Sequence, residues 1–364
     1  MPTEFGHLGP LPPRRARRPI GGTLSCCGSL RFPTPRESRN LAAASHKPTY
    51  CVGIVSYRSY ADLSACLESI GNQKLPPETV CVLDVDPDWA HCDQREALVE
   101  RFPWAEFQDV PNLGYAGGAN QLVHWACGLA STPDFCLLLN PDVSLEPDFA
   151  ATLACAMASQ PDVALGSGKL LRPDGRTLDS AGLEMPRHKR PRDRGSEQLD
   201  QGQLDQPADV FGVSGAAMML RLSAVSDLML AGELFDEDFF LYHEDTDLCW
   251  RAGRLGWRIR YEPSARARHV RGWRRAQRFE IPEVVRRHSF KNHYLQLIKN
   301  APARELIRDF PVIVSWEFLR LGFAVLRDRP VLGGYRQAAQ LSGRAFHKRK
   351  LLQKKLRAVD RRRP

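Results

Sequence analysis

From Tyr50 onwards the chain alternates between two hydrophobic patterns: short unbroken apolar runs ending in polar residues, and segments whose apolar positions recur every three to four residues. The first run, "YCVGIVSYRS" (50–59), reads as a strand buried on both faces, because no position in it alternates to polar. "YADLSACLESIGNQ" (60–73) then sets Leu63, Cys66, Leu67 and Ile70 on one helical face. The same logic predicts a strand in "TVCVLDVDPD" (79–88), ending in Asp84 and Asp86, and a weaker one in "WAEFQDV" (104–110). It predicts a helix in "GYAGGANQLVHWACGLA" (114–130), a strand in "DFCLLLNPDVS" (134–144), a helix in "PDFAATLACAMAS" (147–159) and a strand in "DVALGSGKLL" (162–171). Alternating strands and helices mean an α/β fold with a mainly parallel sheet, whose ligands sit at the carboxyl ends of the strands. The polar residues ending these strands are Ser56, Asp84, Asn140 and Asp142, so a site is expected among them.

Residues 185–210 are polar and broken by proline, which predicts a mobile loop. "FGVSGAAMMLRLSAV" (211–225) returns to order through the small residues Ser214, Gly215 and Ala216, and "GWRIRYEP" (256–263) is strand-like. Beyond Trp273 the chain turns helical and basic; residues 1–46, rich in Pro, Arg, Ser and Gly, read as a disordered extension or as sequence upstream of a later start. The expected organisation is that extension, a catalytic domain over 47–270, and a basic helical region over 271–364.

Charge sharpens this division. The last region holds 24 Lys and Arg against 7 Asp and Glu, a balance of +17, while residues 1–270 balance at −8. An acidic body suggests cation chemistry, and a basic tail suggests an anionic surface. In "VIVSWEFLRLGFAVL" (312–326), Val312, Trp316, Leu319, Phe323 and Leu326 share a helical face, so the tail is expected either to meet a membrane interface or to pack on the catalytic domain. The ten cysteines are scattered and form no CxxC pair, which suits reduced thiols in a cytoplasmic protein. No run of about 20 apolar residues is present to span a membrane.

Three stretches carry candidate chemistry. In "NPD" (140–142), residues two apart on an extended segment point the same way, so Asn140 and Asp142 offer two oxygens to a hard divalent cation; Asn-Pro-Asp is equally good turn chemistry. "NLGYAGGAN" (112–120) has glycines that let backbone approach a ligand, or a helix pack closely on a sheet, but it lacks the P-loop lysine and the dinucleotide spacing. "FDEDFFLYHEDTDLCWR" (235–251) sets six acids, Asp236 to Asp247, within twelve residues. Glu244 and Asp245 could simply open a helix, with Asp247 paired to Arg251 four residues on. His269 is a lone histidine further along.

The order of these motifs, Asp84, "NLGYAGGAN", "LLNPD", Ser-Gly-Ala-Ala, "GELFDEDFFLYHEDTDLCWRAGRLGW" and His269, resembles glycosyltransferase family 2 over residues 48–271, and within it the bacterial rhamnosyltransferase-like members. The resemblance implies a GT-A fold, a nucleotide-sugar donor and Mg²⁺ or Mn²⁺. It implies that Asp84 contacts the donor base or ribose, with Asn112, Gly114 and Gly118 also on the donor side. Asn140 and Asp142 stand at the metal motif, and His269 completes the metal–diphosphate site. Asp245 falls on the general base, with Glu244 and Asp247 holding its geometry and the acceptor. Two positions depart from the family: "DVDPDW" follows the second strand where Asn and Ser are usual, and the first metal-motif residue is Asn rather than Asp.

The expected activity is inverting transfer of a sugar to a glycan or polyprenyl-diphosphate-linked acceptor at the inner face of the cytoplasmic membrane. L-rhamnose from dTDP-L-rhamnose is favoured over galactofuranose or another hexose by resemblance. A nucleotidyltransferase would want a glycine-rich basic loop after the first strand, which "SYRSYADL" lacks. A nucleic-acid-binding protein would rest on "HKRPRDR" and the basic C-terminus; with an acidic body and no recognition signature, no nucleic acid is expected as a partner.

Overall fold

The computed structural model describes residues 47–86, 93–271 and 275–361; the N-terminal extension lies outside them. Four strands, β1 (Tyr50–Ser56), β2 (Val80–Asp84), β3 (Ala105–Asp109) and β4 (Phe135–Leu139), run parallel in the order β4-β1-β2-β3. Helices α1 (Tyr60–Gly71), α2 (Asp93–Arg101) and α3 (Gly114–Cys127) connect them. The continuous apolar runs are explained by what covers each face. Val52 and Ile54 of β1 meet Leu63 and Leu67 of α1 on one side, whereas Cys51 and Val55 meet Ala119 and Leu122 of α3 on the other. The α/β fold with a mainly parallel sheet follows as the sequence predicts.

Beyond β4 come β5 (Val143–Leu145), α4 (Phe149–Ala158), β6 (Val163–Leu171), β7 (Leu178–Ser180), and the two-residue strands β8 (Leu183–Glu184), β9 (Arg192–Asp193) and β10 (Ala208–Asp209). Then follow β11 (Ala217–Arg221), the single turn α5 (Val225–Leu228), α6 (Glu244–Arg254) and β12 (Arg258–His269). β11 inserts antiparallel between β4 and β6, and β12 extends the sheet parallel to β6. The far end of β12 pairs antiparallel with β5, setting His269 opposite Val143 and so beside the Asn140–Asp142 stretch.

Residues 185–210 are not the free loop that their composition suggests. β8 and β9 form a hairpin, and the chain bridges at Thr177 and Leu199. Lys169 of β6, fully buried, reaches up to Asp200 at 2.9 Å and to Asp205. A buried ammonium needs carboxylate partners, and this segment supplies them, so its polar residues are spent on anchoring.

Three long helices complete the chain: α7 (Glu283–Asn300), α8 (Ala303–Arg327) and α9 (Gly333–Asp360). α7 lies along the acidic segment 236–247 with one stripe facing it. Asn292 donates to the carbonyls of Phe239, Leu241 and Tyr242, at 3.0, 2.8 and 2.8 Å. Thr246 donates to Gln296 at 2.9 Å, and Asn300 donates to Asp247 at 2.6 Å. Lys299 lies between two carboxylates, 2.6 Å from Asp236 and 2.7 Å from Asp247. From α9, Lys348 reaches Asp236 and Glu233, and Lys355 donates to the carbonyls of Ser226 and Asp227. The opposite charges of body and tail are therefore partly satisfied inside the molecule, so the tail's charge is not all available to an outside partner.

Breaking this network has a definite cost. Lys299→Met leaves Asp236 and Asp247, both almost fully buried, short of a cation, and it is expected to destabilise the chain by about 3–5 kcal/mol. Lys350→Met, on the exposed side of α9, should stay within about 0.5 kcal/mol of the parent. Urea unfolding of the two variants side by side checks this; equal midpoints would contradict it.

Candidate active site

The carboxyl ends of β1, β2 and β4 bring Ser56, Asp84 and Asn140 to one edge of the sheet. Asp84 is buried and held on several sides: the Tyr60 hydroxyl donates to it at 3.0 Å, the Asp86 backbone N–H at 3.1 Å, and the Arg95 guanidinium stands 3.6 Å away. Burial outweighs these contacts and lifts its carboxyl above the usual range.

Three residues past β4, Asp142 faces His269, whose Nε2 stands 3.4 Å from the carboxylate. The other ring nitrogen, Nδ1, is 2.7 Å from Asp179, itself fully buried and bonded to Arg172 at 2.9 Å. Arg271 reaches Asp179 at 3.4 Å and Asp193 at 2.9 Å. Burial opposes a charge on His269, but the bonds to Asp142 and Asp179 prevail and raise it to about 9. Asp179, Arg172 and Arg271 are absent from the sequence reading. Asp179 lies in "TLDSAG" with no periodic or motif signal, and its role exists only because β7 pairs with β6 beside the end of β12.

The acidic segment reaches the same edge by a different route. Phe240, Tyr242 and His243 all have left-handed backbone, with φ of 68°, 66° and 70°. Such conformations are unfavourable for these residues and persist only where surroundings over-determine them, here through the three Asn292 bonds. The kink turns α6 so that Asp245 meets the Ser214–Ala216 turn: the Gly215 N–H donates to Asp245 Oδ2 at 2.9 Å, and the Thr246 N–H to Oδ1 at 2.6 Å. A side chain on Gly215 would stand 3.2 Å from the Asp245 Cβ, so only glycine allows this approach without adjustment. Ala216 in turn accepts the Asn140 N–H at 2.8 Å, which sets Asn140 and Asp245 on either side of one short turn.

The three acids of α6 have different surroundings. Asp245 is half-buried; burial pushes its carboxyl up while the two N–H groups pull it down, and the net direction is up. Glu244 is buried with one oxygen lacking any partner, and burial together with Asp245 and Asp247 pushes it well above the carboxylate range. Asp247 is fully buried against Arg251 at 3.0 Å, Lys299 and Asn300, so it can fix the helix and cannot touch an acceptor. Arginine pairing and burial of Leu248, Trp250 and Leu255 follow the plain helix reading of this stretch, and its local structure is that of a helix start.

The glycine-rich motif is mostly packing. Asn112 accepts the Gly114 N–H at 2.9 Å, forming the turn that opens α3. The space beside Gly114, at φ 74°, is filled by Phe240, and that beside Gly118 by Val55. Its reach into the site is through Tyr115, whose hydroxyl donates to the Gly215 carbonyl at 3.2 Å.

Residues 48–288 match the family model "Glycosyltransferase like family 2". Over 194 residues the chain is 31% identical to the N-acetylglucosaminyl-diphospho-decaprenol L-rhamnosyltransferase of two Mycobacterium tuberculosis strains, covering 48% of this chain and 61% of those relatives. Similar solved structures are GalNAc-T7 with UDP, GalNAc and Mn²⁺ (TM-score 0.52, 11% identity, 70% of this chain and 48% of that one) and Staphylococcus aureus TarS (TM-score 0.51, 15% identity, 86% and 55%). At these identities the structures speak for the fold, which is GT-A. By its sequence over most of its length and by the architecture around this site, the chain belongs to glycosyltransferase family 2.

Proposed function

We propose that this chain is an inverting glycosyltransferase that moves L-rhamnose from dTDP-L-rhamnose to a hydroxyl of a polyprenyl-diphosphate-linked glycan. The observation carrying the reading is the convergence of Asn140, Asp142 and His269 with Asp245 around the Ser214–Ala216 turn. The activity of the mycobacterial relatives supports rhamnose and the lipid diphosphate. A lipid-linked acceptor implies that the enzyme works at an anionic membrane surface.

The donor set suits a divalent cation. Asp142 and the Nε2 of His269 face one another with Asp179 orienting the far side of the ring, the arrangement by which a carboxylate steadies a metal-bound imidazole. Among the described residues no group of three or more His, Cys, Asp and Glu forms a closed metal cage. Two protein donors, with Asn140 adjacent, would leave positions for phosphate oxygens and water, as Mg²⁺ and Mn²⁺ prefer. When bound, the cation supplies charge neutralisation for the departing diphosphate.

Asp245 takes the proton of the acceptor hydroxyl, and its raised proton affinity favours that step. Glu244 holds the helix start behind it, and Arg271 acts on Asp245 electrostatically while bonded to Asp179 on the cation side. Asp84 lies where a nucleoside would rest, and Asn112, Gly114 and Gly118 shape the adjoining wall.

Release of nucleoside diphosphate from dTDP-L-rhamnose, UDP-galactofuranose and other hexose nucleotides, with Mg²⁺, Mn²⁺ or EDTA, tests the reading. Turnover with dTDP-L-rhamnose and a cation is expected, together with loss of activity in Asp142→Ala. Full activity in EDTA would exclude the metal, and release from other donors alone would exclude rhamnose.

Asp245→Asn is nearly isosteric and removes basicity. A loss of about 10²–10⁴ in kcat is expected, with donor affinity and melting temperature retained. An active but less stable variant would reduce Asp245 to a helix-start residue.

His269 provides a pH signature. Its folded value of about 9 lies above the ordinary 6.5, so in metal-free protein its stabilising contribution is complete below about 6.5 and is lost as pH rises through about 9. The same proton must leave before Nε2 can bind a cation, so Mn²⁺ affinity should rise with pH by up to about tenfold per unit across that window. Ring NMR titration in EDTA and calorimetry with Mn²⁺ check both; a titration near 6.5 or a flat Mn²⁺ profile would contradict them.

A further inference from the structure

α8 is inside out. Between Arg308 and Arg327 its charged residues are Asp309, Glu317 and Arg320, and all three turn towards the body. Asp309 is fully buried with Arg187 at 3.0 Å and Lys189 at 3.1 Å. Glu317 accepts from the Tyr294 hydroxyl and pairs with Arg320, which lies over the Phe290 ring. Facing solvent instead are Ile307 (76% exposed), Phe318 (70%), Leu319 (69%) and Leu326 (78%), joined by Phe310, Leu321 and Val325. A surface helix on a water-facing protein carries the reverse polarity.

We infer that α8 is a membrane-docking helix that lies in the plane of an anionic bilayer, its outer side sunk among headgroups and the first acyl carbons. Two observations select lipid over a second copy of the chain. The inward stripe, through Asp309, Glu317, Arg320 and Ala324, is narrow, so the helix stands proud on roughly three sides; a rigid partner covers one side, whereas a fluid phase conforms to all of them. The apolar row is also bracketed by exposed Arg304 and Arg308 at one end and Arg327 and Arg329 at the other, the placement that meets anionic headgroups. At 1.5 Å per residue the helix runs about 37 Å, yet no helix among the described residues is long and apolar enough to cross a membrane, so it lies along the surface.

Docking there also orients the site. The His188 ring stacks on Trp316 at 4.5 Å, and Lys189 pairs with Glu305 at 2.7 Å. The same hairpin carries Asp193, bonded to the Arg271 that adjoins His269. The helix is thus tied to the wall of the site, and a lipid-linked acceptor would be met where it emerges from the bilayer. This last point rests on the proposed sugar transfer; the docking itself does not.

Flotation of the full chain, without donor or acceptor, is the test. With vesicles of phosphatidylcholine and phosphatidylglycerol most of the protein should float, and with phosphatidylcholine alone much less. Phe318→Glu combined with Leu319→Glu and Leu326→Glu should abolish flotation. It should keep the parent's melting temperature and its release of nucleoside diphosphate with a water-soluble acceptor, since these side chains contact solvent. Arg304→Gln with Arg327→Gln should remove the preference for phosphatidylglycerol. A parent that stays unbound at low salt, or a triple glutamate variant that floats as well as the parent, would overturn the inference. So would sedimentation equilibrium showing a dimer that the triple variant converts to monomer without vesicle binding. Loss of sugar transfer with flotation intact would instead refute the proposed activity alone.

Discussion

The ion network of Asp236, Asp247, Lys299, Lys348 and Arg251 is the constraint on which the rest depends. Six acids in twelve residues repel one another unless their charge is offset locally. Lys299 of α7 does this for Asp236 and Asp247, at 2.6 and 2.7 Å, and Lys348 of α9 for Asp236 and Asp238, in a buried setting where removing either sign is costly. Burial works against the charge on Asp236, but Lys299 and Lys348 more than offset it and hold its carboxyl well below the usual range. With that charge settled, Asn292 can hold three left-handed residues in place, and α6 can present Asp245 to the Ser214–Ala216 turn. The C-terminal helices are therefore part of the site's construction.

The site itself is divided between two kinds of support. The Asp142–His269 side is built from sheet: β5 and β12 pair so that the two side chains face each other, and β7 brings Asp179 behind the ring. The Asp245 side is built from a helix start whose entry is strained. Rigid pairing on one side and a braced kink on the other meet across Gly215, where a Cβ would already press on Asp245. Arg271 spans the two, bonded to Asp179 and Asp193 and acting on Asp245 through its charge.

What could be read from the sequence follows from how local each signal is. β1, β2, β4 and β6 were legible because both their faces are covered, which leaves unbroken apolar runs. The opening of α6 was legible because Asp247 pairs with Arg251 only four residues on, a contact contained within one helix. The partners of the acidic segment were not: Lys299 and Lys348 lie dozens of residues downstream in stretches whose charge looked like a solvated tail. Residues 185–210 looked mobile because their polar side chains serve partners far away in the sequence: Asp200 and Asp205 meet the buried Lys169, Arg187 and Lys189 meet Asp309, and Asp193 meets Arg271. The glycines at 114 and 118 announced close approach correctly, but periodicity could not say that Phe240 and Val55 fill the space. In α8 the apolar face was visible in the sequence, while the direction it faces appears only once Asp309 and Glu317 are seen turned inwards.

The central claim is that the two halves of the site act on one donor. Crystals grown with Mn²⁺ and dTDP, with the manganese located by anomalous scattering, test it most directly. The account predicts a single manganese bonded to Asp142 and to Nε2 of His269, with the diphosphate lying between them and the Ser214–Ala216 turn and Asp245 open towards the place of the sugar. Manganese held away from Asp142 and His269, or a diphosphate bound outside the carboxyl edge of β1, β2 and β4, would contradict it.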